Sequence, residues 1–217
     1  MTLTERNTDR AARSDAERNK ERVLEAASQL FAVRGVDATL NDVARAAGLG
    51  VGTVYRKFAD KEAVLDALVD EKIDALVEIA QVATAVSDTG EAFRGFLLAL
   101  MEKRATDRGL DAILTSQARQ VRFTEELERR LLPTVERLVA AAVDAGELRA
   151  GISANEVCLL GFMVGKVADI SRPDAPELWR RYAQLLIDGT RLQPGIEQLA
   201  PASMSFAANA AALGRAN

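Results

Sequence analysis

Thr53, Tyr55, Arg56 and Lys57 lie almost consecutively in this 217-residue chain, and their types suit one task. A threonine can meet a base edge or a thymine methyl, and a guanidinium can grip a guanine through two hydrogen bonds. An ammonium or a phenol can hold a phosphate oxygen. Thr39 and Arg45 precede this cluster and Lys61 follows it. Gly50 and Gly52 sit at its start, where a missing side chain lets the backbone come close to a partner. Other chemistries are poorly provided for. The chain has no histidine, and Cys158 is its only cysteine, so an internal disulfide or a thiolate zinc site is excluded. No phosphate-binding glycine loop occurs, and no metal, cofactor or catalytic residue is expected.

The elements around the cluster follow from local signals. Val23, Leu24, Ala27, Leu30 and Phe31 are spaced for one apolar helix face that stops at Gly35. Thr39 with Asp42 makes a capping-box-like start for a second helix, whose inner face is Leu40, Val43 and Ala47 and whose end is Gly48. Gly50 opens a third helix, with Val54 and Phe58 as core. Asp60 caps a fourth, which runs outward to about Val82 through Val64, Leu65, Leu68, Leu76 and Val77. Two short helices joined by a glycine turn, the second bearing the cations, form a helix-turn-helix. One helix is propped across the backbone and the next is laid in the major groove. Thr39 serves either as a plain cap or also as a phosphate contact, and Tyr55 as a filler or a phosphate contact.

Beyond Val82 the same grammar continues. Asp88 and Glu91 open a helix with Phe93, Phe96, Leu97, Leu100 and Met101 on one face. A short helix then holds Leu110, Ile113, Leu114 and Gln117. Pro133 must kink or split the segment from Phe123 to Ala145. Ser153 and Glu156 form a capping box for a very apolar helix reaching about Ile170. Asp174 and Glu177 open the last helix, with Pro176 in its first turn. Strand alternation is absent. The expected fold is all-α with about nine helices: a polar, disordered arm (1–17), a three-helix DNA-binding domain (18–77), a larger helical ligand-binding and dimerisation domain (78–193) and an irregular tail (194–217).

The order and spacing of Ala27, Leu30-Phe31, Gly35, Thr39, Val43-Ala44, Ala47-Gly48-Leu49, Gly52-Thr53-Val54-Tyr55, Phe58, Lys61-Glu62 and Leu65 resemble the TetR family of bacterial transcriptional regulators. The run AGELRAGISANEV and the later WRRYAQLLIDGTR are similar to an SbtR-like C-terminal domain of that family. The resemblance implies DNA contacts from Thr39, Arg45, Gly50, Gly52, Thr53, Tyr55, Arg56, Lys57 and Lys61, with Lys61 as a phosphate clamp. The family often places serine or threonine where Gly50 stands, so one hydroxyl anchor is missing here. Arg18, Lys20 and Arg22 of the arm are expected to offset it.

One reader helix spans too few base pairs to select a site, so a homodimer on a palindromic duplex operator is expected. The resemblance places its interface on the last two helices, at Leu160, Gly161, Met163, Val164, Val167, Trp179, Tyr182 and Leu186. Gly161 and Gly165 would let neighbouring helices come close; alternatively, the apolar helix is the centre of its own domain. Phe93, Phe96, Leu97, Met101, Leu114, Gln117 and Phe123 form either a solid core or the lining of a pocket for a small apolar effector, with Arg119 or Arg122 available to an anionic one. Binding there would relieve repression.

The bulk composition agrees with a globular regulator. The chain is 48% hydrophobic and 28% charged, with a net charge of −4. Residues 1–61 carry 11 Lys+Arg against 9 Asp+Glu (net +2), and the remainder 17 against 23 (net −6). That asymmetry is consistent with an electropositive end on an acidic body. The longest uncharged apolar run, Val157–Gly165, is far short of the ~20 residues that span a bilayer, and the N-terminus lacks a signal-peptide core. A cytoplasmic location without membrane contact is expected.

Overall fold

The computed structural model describes residues 3–107, 110, 116–195, 199, 204–205 and 208, with backbone alone at 3–14, 16 and 36. Among these residues there are nine α-helices and no strand, save one isolated antiparallel bridge between Leu148 and Arg191. The helices are α1 (Leu3–Arg34), α2 (Leu40–Ala46), α3 (Val51–Lys57), α4 (Lys61–Thr84), α5 (Thr89–Thr106), α6 (Gln117–Arg130), α7 (Leu132–Asp144), α8 (Ala154–Ser171) and α9 (Leu178–Thr190). No helix among the described residues is long and apolar enough to cross a membrane.

The chain divides into two compact units, and the division falls inside α4, between Glu71 and Lys72. The first unit also takes back Leu110 and residues 116–119, while Gln120 onward belongs to the second. This division lies six residues before the expected boundary at 77/78. A continuous helix runs through it, so no glycine, proline or polar linker marks it in the sequence.

In the first unit, Val23, Leu24, Ala27, Phe31, Leu40, Val43, Ala44, Val54, Phe58, Val64, Leu65 and Leu68 are buried together. Apart from Ala44, these are positions that helical periodicity picks out; Leu30, also expected, is half-buried. The arm expected to be disordered is helical, because α1 begins at Leu3. Ion pairs three residues apart, Asp15 with Arg18 and Glu17 with Lys20, stabilise such a helix.

In the second unit α5 packs against α7, α8 and α9, burying Phe93, Phe96, Leu97 and Met101. The seam between α5 and α8 is made by glycine. A Cβ on Gly161 would lie 2.9 Å from Leu100 Cγ, and one on Gly165 would lie 3.4 Å from Arg104 Cβ and carbonyl oxygen. Pro133 splits its segment rather than kinking it: α6 ends at Arg130, Leu131 intervenes, and Pro133 sits in the first turn of α7. Asp88 caps α5, and Ser153 and Glu156 form the reciprocal box at α8. The start of α9 differs from expectation. A turn closed by the Ala175 N–H on the Ser171 carbonyl (2.7 Å) precedes it, and the helix begins only at Leu178, with Pro176 outside. Of the C-terminal tail, the described Met204 accepts a hydrogen bond from Asn155 through its carbonyl (3.3 Å).

Candidate nucleic-acid interface

The helix-turn-helix is held by caps at each end of α2. Thr39 is its N-cap: its Oγ1 accepts from the Asp42 N–H (3.2 Å), while Asp42 Oδ2 accepts from the Thr39 N–H (3.0 Å) and hydroxyl (2.7 Å). The Thr39 hydroxyl bond, the Thr39 backbone bond and the charges of Arg34 and Arg45 together lower the Asp42 carboxyl below its ordinary range, so it stays ionised at neutral pH. At the other end, Gly48 adopts φ +64, with Gly48 N–H donating to Arg45 and Leu49 N–H to Ala44. This pair of bonds reverses the chain where only glycine is free of strain. The Ala47 carbonyl, left outside that pattern, accepts from Arg22 Nη2 of α1 at 2.7 Å.

The turn delivers α3. Gly50 caps it without a side-chain bond, and its carbonyl accepts from the Thr53 N–H (2.8 Å). Val54 is the one buried residue of the seven, and Phe58, just past the helix, is buried beside it. That leaves Val51, Gly52, Tyr55, Arg56 and Lys57 exposed and Thr53 half-buried. Tyr55 is 47% exposed. Arg56 Nη2 donates to Thr53 Oγ1 (3.3 Å), so these two side chains lie together on one face.

The start of α4 completes the arrangement. Asp60 Oδ1 accepts from the Ala63 N–H (2.8 Å), and Lys61 follows at once. Arg45, with its side chain 83% exposed, stands 3.9 Å from Asp42. All nine residues expected at a DNA surface thus lie on α2, α3, their caps or the first residue of α4. The arm cations have contacts of their own: Arg18 is paired with Asp15, Lys20 with Glu17, and Arg22 donates to the Ala47 carbonyl. Sequence reasoning missed that use of Arg22, because no local pattern links residues 25 apart.

Known proteins resemble this chain over most of its length. The model of bacterial regulatory proteins of the tetR family matches residues 23–68, and that of the SbtR-like transcriptional regulator C-terminal domain matches residues 88–192. The chain belongs to the TetR family. Members of this family are DNA-binding transcriptional regulators rather than enzymes. An HTH-type transcriptional regulator of Staphylococcus aureus is 37% identical over 77 residues, 34% of this chain and 40% of the relative. A second one is 35% identical over 66 residues, 30% of this chain and 36% of the relative. The chain therefore matches well under half the length of these curated relatives. Solved structures match further. A TetR transcriptional regulator from Streptomyces coelicolor shares 26% identity at a TM-score of 0.62, covering 80% of this chain and 99% of its own. A TetR regulator from Mycobacterium vanbaalenii shares 28% at 0.62, covering 83% and 99%.

The other residues expected to act in this TetR-family chain are distributed differently. Phe93, Phe96, Leu97 and Met101 are buried on α5 and Phe123 is half-buried. Gln117 is exposed at the start of α6, not on a preceding short helix, so its amide is solvated rather than lining an apolar cavity. Leu114 and Ile113 lie outside the described residues. Of the expected interface, Gly161, Val164 and Trp179 are buried inside the chain itself, and the glycine face of α8 is occupied by α5. Met163 and Tyr182 are exposed, at 47% and 42%, and Leu160, Val167 and Leu186 are half-buried.

Proposed function

We propose that this chain is a sequence-specific DNA-binding transcriptional regulator that works in the cytoplasm as a homodimer on a palindromic operator. The observation that carries the reading is the reader helix itself. One buried valine and the adjoining Phe58 anchor α3, while Tyr55, Arg56 and Lys57 face solvent with Thr53 beneath Arg56. Thr39, Arg45, Lys57 and Lys61 are the backbone anchors of this reading, and Arg56 is its principal base reader. Gly50 and Gly52 admit the phosphate backbone closely.

Dimerisation is supported by apolar side chains that the monomer leaves uncovered. Met163 and Ile170 on α8 are seven residues apart, and Leu178, Tyr182 and Leu185 on α9 are spaced by four and three. Each set therefore forms a single stripe. A dimer that reads such an operator presents two reader helices to successive major grooves about 34–36 Å apart. We assign the protein as a repressor released by a small apolar effector. Phe93, Phe96, Leu97 and Met101 pack α5 into the core, so a ligand that displaced them would meet only apolar side chains.

Selection of bound sequences from a random duplex pool tests the reading. It requires a palindromic consensus and a steep fall of affinity with salt, in which each phosphate anchor contributes nearly one to the slope. Salt-independent binding, or no enriched sequence, would sink it. Leu185→Glu should convert a sedimenting dimer to monomer. Placing the recovered sequence across a promoter should lower reporter output.

A further inference from the structure

We infer that Arg119 is a positioning residue for DNA binding: by pairing with Glu62, it silences a carboxylate that stands directly beside the phosphate-clamping Lys61. The inference rests on the regulator reading above and deepens it.

Arg119 and Glu62 are 57 residues apart and form an ion pair within the first unit. Its asymmetry is informative. The Arg119 side chain is 10% exposed and that of Glu62 is 62% exposed. A guanidinium withdrawn from water is costly unless something compensates it. Most of α6 belongs to the second unit, yet its first residues, through Arg119, group with the first. The Ser116 hydroxyl accepts from the Arg119 N–H (3.3 Å), which fixes the backbone from which the side chain leaves.

Glu62 meets two opposed demands. An acid in the first turn of α4 is favourable to the helix, whose N-terminal end carries partial positive charge. The same acid beside Lys61 repels any phosphate that the lysine holds. Between unit charges a few ångströms apart in water that repulsion is worth a factor of about three to five in affinity, and more where water is excluded. Pairing with Arg119 reconciles the two. The acid remains at the helix start, while its charge is cancelled by a cation brought from a remote part of the sequence.

The test uses the full chain on two duplexes, one random and one recovered by selection, at low and high salt. Arg119→Met removes the buried cation but keeps an apolar stem of similar reach, and Arg119→Gln repeats the test should Met fold poorly. Either variant should bind both duplexes about three- to tenfold more weakly at low salt, with the deficit shrinking at high salt. Adding Glu62→Gln to the variant should restore affinity to within about twofold of the parent. A structural role would not predict that rescue. Parental affinity in the single variants, or a double variant as weak as the single, overturns the inference while leaving the regulator reading intact. Unfolding of both single variants by circular dichroism also overturns it. A parent chain that binds neither duplex overturns the reading and the inference together.

Discussion

Arg22 on α1 and Ala47 at the end of α2 are joined by a 2.7 Å hydrogen bond from guanidinium to carbonyl. The bond satisfies a helix-end carbonyl just before the turn that aims the reader helix. Arg22→Ala should therefore destabilise the first unit by roughly 1 kcal/mol, the net worth of a partly solvated charged bond. Thermal unfolding followed by circular dichroism measures this. An unchanged midpoint would mean that the carbonyl is equally well served by water.

Two glycines make a matched comparison in the second unit. At Gly161 an added Cβ would press on Leu100 Cγ at 2.9 Å, whereas at Gly95 it would meet nothing within 4 Å. Gly161→Ala should cost about 1–3 kcal/mol through displacement of α5 from α8. Gly95→Ala should gain about 0.5–1 kcal/mol, because alanine loses less backbone freedom in a helix. Urea unfolding of the two variants should place them on opposite sides of the parent.

Arg56 and Lys57 are adjacent yet should behave differently on DNA. Arg56→Ala is expected to cost about 1–3 kcal/mol at a single base-pair position and to relax preference there. Lys57→Ala should weaken all sequences alike and reduce the salt slope by about one. Competition binding with a set of single-position operator variants separates the two outcomes. Identical profiles would show that Arg56 reads no base.

Cys158 is half-buried on α8, and burial pushes its thiol from 9.0 up to about 12. At pH 8 the native chain should react with a thiol reagent on the order of a thousandfold more slowly than the unfolded chain, in proportion to thiolate. The sign of the linkage is also fixed. Below about pH 9 the thiol is protonated in both states and its contribution to stability is complete. Between about 9 and about 12 the unfolded chain ionises while the native chain does not, so stability falls. Cys158→Ala should flatten that part of the pH–stability curve.

Local punctuation was readable from the sequence, and long-range pairing was not. Thr39 with Asp42, Asp60, Ser153 with Glu156, Gly48 and Pro133 each act within a few residues, so their roles follow from spacing alone. The exposed face of α3 followed from Val54 and Phe58 being its only apolar anchors towards the core. The use of Arg22 and the silencing of Glu62 depend on partners 25 and 57 residues away, for which one sequence offers no signal. Gly161 and Gly165 are points of close approach, but spacing does not say which helix approaches. The start of α9 is later than the acidic pair suggests because Asp174 lies inside the turn at Ser171–Ala175, and Glu177 is engaged by Arg180. The helical arm shows the converse case, in which alternating charges make a helix without any apolar stripe.

The reading module is not a contiguous piece of chain: its start, up to Glu71, is joined by Leu110 and residues 116–119 from much later in the sequence. Domain shuffling is therefore constrained. A chimaera spliced within α4 would exchange Glu62 but retain the recipient's residue at position 119, leaving donor carboxylate and recipient partner unmatched. Grafts of operator specificity onto or from this protein should succeed when the short stretch ending at Arg119 travels with the N-terminal segment. By the same logic, positions 62 and 119 should drift together among its descendants.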